Sequence, residues 1–249
     1  MRSFDELAAE AVRADVTGWG FEFLRGRATE QRPPWKYASL LAARLGSVSS
    51  ALDLDTGGGE VVDEAPALPP RMAVTESWPP NVARARQRLG PRGVEVAGTE
   101  PGEPLPFPDG SFELVTARHP VAPDWHEIHR VLRPGGVYLA QHVGPASAFE
   151  LIERFLGPLP AERRLRDPED EAAAARDRGF EILRLRTATC RMEFFDVGAV
   201  IWILRKCVWW VPDFSVERYR DVLLELDAQM RGGTPFVAHS TRHLIEARR

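Results

Sequence analysis

The stretch ALDLDTGGGE, residues 51–60, decides how this chain is read. Ala51, Leu52 and Leu54 make an apolar run with Asp53 inside it, and Thr56-Gly57-Gly58-Gly59 breaks that run at once. A short apolar run ended by glycines predicts a buried strand leading into a turn that comes close to another molecule. Glycine accepts positive φ and has no Cβ, so three in succession let backbone N–H groups face a ligand at the mouth of the next helix. An α/β sheet holds a nucleotide-like molecule at its first strand-to-helix crossing in this way.

A glycine-rich turn alone also fits an ordinary surface loop, so residues at fixed distances beyond it must decide. Met72-Ala73-Val74-Thr75 reads as a second short strand, and it ends in Glu76, seventeen residues beyond Gly59. An acid at the tip of that strand is placed to accept hydrogen bonds from both hydroxyls of a bound ribose.

Two further blocks come later in the chain, LPFPDGSFELV at 105–115 and EIHRVLRPGGVYLA at 127–140. Together with the turn and Glu76 they resemble the class I S-adenosylmethionine-dependent methyltransferases, over about residues 48–143 and in the same order. The segments GWGFEFLRGRATEQRPPWKY (18–37), RMEFFDVGAVIWILRK (191–206) and PFVAHSTRHLIEAR (235–248) are similar to an actinobacterial branch of that family. The resemblance implies an α/β, Rossmann-like, seven-stranded, mostly parallel sheet. It also implies S-adenosyl-L-methionine as methyl donor and S-adenosyl-L-homocysteine as product.

Composition sets the bounds. At 249 residues, 44% hydrophobic and 27% charged, the chain suits one α/β domain with additions. The most apolar run, 197–211, is interrupted by Arg205 and Lys206 and is too short for a membrane span, and the N-terminus lacks the apolar core of a signal peptide. A cytoplasmic enzyme with no membrane partner is expected. Two cysteines, Cys190 and Cys207, form no CxxC pair, and no ligand cluster at metal-binding spacing stands out, so no metal is expected. The net charge of −4 and the absence of a basic stripe argue against nucleic acid as partner. Of the 32 basic residues 30 are arginine, spread along the whole chain, which reads as compositional bias.

Helical spacing at 4–16 and 37–45 predicts an N-terminal helical cap over residues 1–46, ahead of a methyltransferase domain at 47–249. Strands are expected at 50–54, 71–75, 94–97, 112–117, 137–143, 181–185 and 235–247. Helices at 194–210 and 216–231 are inserted before the last strand, and the segment 188–232 is expected to wall a substrate chamber.

Carried onto this sequence, the resemblance gives Asp53, Asp55, Thr56, Gly57, Gly59, Glu76, Thr99, Glu100 and Arg118 as cofactor contacts. Asp55 stands where relatives often have the first glycine, and either Thr99 or Glu100 meets the adenine. Arg118 either serves the site or pairs with an acid of the cap. Trp19, Phe21, Trp35, Tyr37, His142 and Trp202 are candidate substrate contacts, the aromatic ones equally explained as packing. His119, just past the fourth strand, is either a general base or a loop hydrogen-bonder. The expected reaction is methyl transfer to a small aromatic or heterocyclic molecule. The alternatives are an RNA-base methyltransferase and a non-catalytic nucleoside-binding protein on the same fold.

Overall fold

The computed structural model describes residues 2–17 and 20–249. Its strands are β1 Ala28–Glu30, β2 Ser50–Leu54, β3 Arg71–Glu76, β4 Glu95–Gly98, β5 Phe112–Arg118, β6 Leu132–Val143, β7 Glu181–Phe194 and β8 Phe236–Arg248. Its α-helices are α1 Phe4–Arg13, α2 Tyr37–Leu45, α3 Glu60–Asp63, α4 Pro79–Leu89, α5 Trp125–Val131, α6 Phe149–Leu156, α7 Pro168–Asp177, α8 Val197–Lys206 and α9 Arg220–Arg231. Among the described residues one sheet has the order β1-β7-β8-β6-β5-β2-β3-β4.

Eight strands therefore replace the expected seven. The additional one, β1, is three residues long and pairs antiparallel with the 192–194 end of β7, in a stretch expected to be helical cap. Strand β7 runs on to Phe194 where a helix was expected from that residue; Asp196 caps the helix instead, accepting from Ala199 N at 3.0 Å, and α8 starts at Val197.

Contacts divide the chain into two compact units. One comprises residues 33–144, 166–188 and 242–249. Within it β6, β5, β2, β3 and β4 are parallel, and β8 runs antiparallel to β6 from Val137↔Arg248 to Val143↔Arg242. Side chains alternate between two cores, as strand geometry requires. Leu52, Ala73 and Val115 join one cluster with Ile128 and Tyr138, whereas Ala51, Met72, Val74 and Leu114 join another with Leu41, Leu45 and Leu89. Both faces are buried, which is why the parallel strands read as near-continuous apolar runs. The chain leaves β2 toward β3 and β4 on one side and returns as β5 on the other, so the switch point lies at the carboxyl ends of β2 and β5.

The two blocks that carry the family resemblance turn out to hold each other. Glu127 on α5 accepts from Leu105 N at 2.7 Å, and Arg130 donates to the carbonyls of Leu105 (2.9 Å) and Phe107 (2.7 Å) and to Asp109 (2.9 Å). They clamp the loop ahead of β5 onto α5. Pro134-Gly135-Gly136, just ahead of the strand expected at 137–143, lies inside β6, beside a register shift between Phe112 and Leu114.

The other unit comprises residues 1–32, 145–165 and 189–241. Its core gathers Phe4, Leu7 and Ala11 of α1, Leu151 and Phe155 of α6, most of α8, and Leu223 and Leu226 of α9. Helix α1 opens with a capping box in which Ser3 Oγ accepts from Glu6 N and Glu6 accepts from Ser3 N. No helix among the described residues is long and apolar enough to cross a membrane.

Candidate functional site

Beyond β2 the chain turns through Asp55 (φ 52°), Gly57 (φ 65°) and Gly59 (φ 80°) into α3, which has only four residues. The left-handed conformation explains two of the glycines; at Asp55 a non-glycine residue tolerates it, as aspartate can. Gly59 is constrained twice, because a Cβ there would lie 2.7 Å from Leu89 Cδ1 at the end of α4.

Glu76 closes this turn from the tip of β3. One carboxylate oxygen accepts from Gly57 N at 2.8 Å, and the other accepts from Ser77 N and Trp78 N, both at 2.9 Å. A carboxylate offers about four acceptor positions, so one is left for a ligand hydroxyl. Thr56 N donates to Thr75 O at 2.9 Å, binding the two strand ends together.

Immediately past Glu76 opens a cavity of about 230 Å³ lined by Ser77, Pro79, Val82, Ala83, Arg86, Gly98, Thr99 and Glu100. Both residues expected near the adenine, Thr99 and Glu100, line it, and Thr99 N donates to Glu76 O at 3.1 Å. Pro79, Val82, Ala83 and Arg86 were not among the expected contacts. Their spacing of i, i+3, i+4 and i+7 is the one-face signature of a helix directly after the acid, and it was available in the sequence. A larger hollow of about 590 Å³ is lined by Glu60, Asp63, Arg84, Gln87 and Arg88, and in it Arg88 already pairs with Glu60 at 2.5 Å. None of its lining residues is an expected cofactor contact, whereas the smaller cavity is lined by Thr99 and Glu100, so the smaller cavity is the candidate ligand site.

Asp53 is buried under the turn and accepts from Thr116 Oγ1 at 2.6 Å. Burial pushes its carboxyl up to about 6, against the hydrogen bonding of Thr116 and Thr56. Thr56 Oγ1 is itself buried with no hydrogen-bond partner of normal geometry, so it lies near Asp53 without fully satisfying it. Arg118 ends β5 and is exposed; its charge acts on Asp53, Tyr37 and His119.

His119 follows with φ 60° and is set by a chain of side chains. Trp35 Nε1 donates to Gln141 Oε1 at 2.7 Å, and Gln141 Nε2 lies 2.8 Å from His119 Nε2. An indole N–H only donates, so the oxygen of the amide must face Trp35 and its NH₂ must face the imidazole. His119 Nε2 is then an acceptor and the proton sits on Nδ1. Burial, with the charges of Arg242 and Arg118, lowers the imidazole to about 3. Of the two expectations for His119, general base or hydrogen-bonder, this geometry fits the second: the Nε2 lone pair is already occupied and the ring is left able to donate from Nδ1.

The expected substrate contacts are mostly spent on the protein itself. Trp35 and Tyr37 are each 5% exposed, and Tyr37 Oη donates to Ala117 O at 2.9 Å. Trp202 is 2% exposed, donates to Asp15 O at 3.0 Å and stacks on Phe23 at 5.4 Å. These three are core residues, and the packing explanation holds for them. Phe21 is exposed and meets Trp202 edge-on at 6.0 Å; Trp19 lies outside the described residues.

His142 is also buried, and it belongs to a cluster the sequence did not show. Tyr138 Oη sits 2.9 Å from its Nε2, and Glu171 Oε2 lies 2.5 Å from its Nδ1. The same oxygen is 2.8 Å from His243 Nε2. Burial raises the Glu171 carboxyl, but the hydrogen bonds from both imidazoles outweigh it and hold the group at about 2. Positions 142, 171 and 243 are too far apart in the chain for any spacing rule to join them.

A strand, a tight turn, an acid at the next strand's tip and a cavity beyond it are the geometry into which a nucleoside fits. Residues 52–140 match the family described as Methyltransferase domain. Over those residues the chain is similar to methyltransferase domains. Demethylmenaquinone methyltransferase from Thermus thermophilus is 34% identical over 146 residues, which is 50% of this chain and 66% of that protein, slightly under two thirds of its length. A solved candidate methyltransferase from Bacillus halodurans shares the fold of this chain with a TM-score of 0.62 and 19% identity, over 86% of this chain and 98% of that one. The [4+2]-cyclase SpnF does so with a TM-score of 0.55 and 19% identity, over 86% and 80%. The solved structures thus show the fold, which by itself also hosts a cyclase.

Proposed function

We propose that this protein transfers a methyl group from S-adenosyl-L-methionine to a small aromatic or heterocyclic acceptor, inside the cell. The observation that carries the reading is the Glu76 carboxylate, which holds Gly57 N–H and keeps one acceptor position beside the 230 Å³ cavity. A ribose hydroxyl would reach Glu76, and an adenine would enter between Val82, Ala83 and Thr99. Asp53 supplies a carboxylate under the turn for the donor's ammonium group, a cation that would favour its ionised form. These residue types fit the cofactor.

When bound, S-adenosylmethionine supplies a methyl group already activated by a sulfonium, so the chain's residues need chiefly to place the acceptor. His119 contributes an N–H donor fixed in one tautomer by Gln141 and Trp35. A neutral donor orients an acceptor oxygen or nitrogen without removing its proton, and this suits an acceptor that is already nucleophilic. An aromatic acceptor is supported by the Thermus thermophilus relative, whose name specifies demethylmenaquinone.

Calorimetric titration with S-adenosylmethionine tests the cofactor, and a screen of aromatic metabolites for S-adenosylhomocysteine release tests the transfer. Saturable binding with release for at least one acceptor is expected. Absence of binding overturns the cofactor assignment, and binding without release for any acceptor favours a non-catalytic nucleoside-binding protein.

A further inference from the structure

We propose that His142, Glu171 and His243 form a binding site for one divalent first-row transition ion, of the zinc class. The three side chains come from β6, α7 and β8 and offer one ligand atom each, all within 4.8 Å of one another. His142 and His243 are register partners across the antiparallel β6–β8 pair, with ring centroids 5.0 Å apart. Both present a nitrogen to the same oxygen of Glu171, at 2.5 and 2.8 Å.

The donor set selects the ion. Two imidazole nitrogens and a single carboxylate suit zinc and its first-row neighbours, whereas magnesium and calcium prefer oxygen ligands alone. Ligands about 2.0–2.2 Å from a zinc ion stand roughly 3.3 Å apart at tetrahedral angles. Each imidazole need therefore withdraw by less than about 1 Å from where it now contacts Glu171. The His243 ring can give way, since its Nδ1 is buried without a partner and its polar tether is the nitrogen aimed at Glu171. On the other ring, the Tyr138 hydroxyl at His142 Nε2 supplies the outer contact that orients a ligating imidazole.

Access and geometry agree. The histidine side chains are 3% and 0% exposed and that of Glu171 is 18% exposed, so an ion enters past the carboxylate and keeps a fourth position on that side. Tyr138 and His142 lie four residues apart on one face of β6, and Gln141, which orients His119, points to the other face. The site shares no residue with the Trp35–Gln141–His119 relay, although the charge of His142 reaches His119; an ion here would tie the first turn of α7 to the β6–β8 pair.

Chain bearing no histidine tag, dialysed against chelator and then titrated with Zn²⁺, should bind about one equivalent and melt at a higher temperature. Co²⁺ in place of Zn²⁺ should give visible d–d absorption with nitrogen and oxygen ligation. Glu171→Gln and His243→Ala should lose the Co²⁺ spectrum, and Tyr138→Phe should bind roughly tenfold more weakly while folding normally. Failure of the wild-type chain to bind Zn²⁺ or Co²⁺ stoichiometrically overturns the proposal and leaves a hydrogen-bonded cluster. Equal binding by a folded Glu171→Gln variant overturns it as well. Neither readout depends on methyl transfer.

Discussion

The indole of Trp35 and the amide of Gln141 are locked together at 2.7 Å, and this one bond decides the chemistry of a residue that neither of them is next to in sequence. With its oxygen held by Trp35, Gln141 can only donate to His119. Replacing it by glutamate should reverse the arrangement. In Gln141→Glu the second carboxylate oxygen accepts from His119 Nε2–H, the tautomer switches, and the imidazole titrates far above its present value of about 3. Nitrogen-15 shifts of the histidine rings should show Nδ1–H in the parent and Nε2–H in the variant. The same Nε2-protonated ring in both would refute the relay.

Activity should accordingly lack an imidazole step. Because His119 is neutral throughout pH 6–8, kcat at saturating S-adenosylmethionine should stay level across that range, and His119→Ala should lower kcat modestly through lost orientation. A rise through pH 6–7 that disappears in His119→Ala would restore the residue as a base.

Glu76 satisfies three backbone N–H groups, so Glu76→Ala should cost both fold and ligand. We expect S-adenosylmethionine binding to weaken by about 1–3 kcal/mol with a lower melting temperature. Glu76→Gln, which keeps one acceptor oxygen, should fall between. Unchanged calorimetric affinity in a folded Glu76→Ala would place the ribose elsewhere.

Asp53 gives stability a pH dependence of definite sign. Its carboxyl moves from 3.8 to about 6 on folding, so the folded state disfavours the ionised form. The penalty is complete above pH 6, fades as pH falls toward about 4, and is absent below that. Asp53→Asn, whose amide oxygen can still accept from Thr116, should therefore gain on the order of 1–3 kcal/mol at pH 7 and flatten the stability profile between pH 4 and 6. It should also bind S-adenosylmethionine less well. A variant that melts lower at pH 7 would show that the buried charge is compensated.

Gly59→Ala meets two penalties, a positive φ and a clash with Leu89. A loss of about 1–3 kcal/mol is expected. Leu89→Ala in the same chain should recover the steric part only. Full recovery would mean that the backbone conformation costs nothing.

What the sequence made legible was local. The strand, glycine turn and acid at 51–76 occur as read, because each signal lies within one strand or one turn. The missing strand β1 is three residues long, too short to show a period of two. Trp35, Tyr37 and Trp202 misled because aromatic residues fill cores and line chambers alike, and only burial and the fate of the indole or phenol hydrogen separate the two. His142, Glu171 and His243 escaped because the β6–β8 register, which no local pattern encodes, is what sets two of them side by side.

The brevity of α3 has a consequence for ligand choice. A helix of four residues has almost no aligned peptide dipoles to offer an anion, and the Gly57 N–H that would greet a phosphate is already given to Glu76. Asp53 and Asp55 add negative charge within a few residues of that turn. A pyrophosphate brought here would find carboxylates where dinucleotide enzymes provide bare amides. Under the proposed function the glycine-rich turn is therefore better matched to a nucleoside that carries positive charge than to a pyrophosphate.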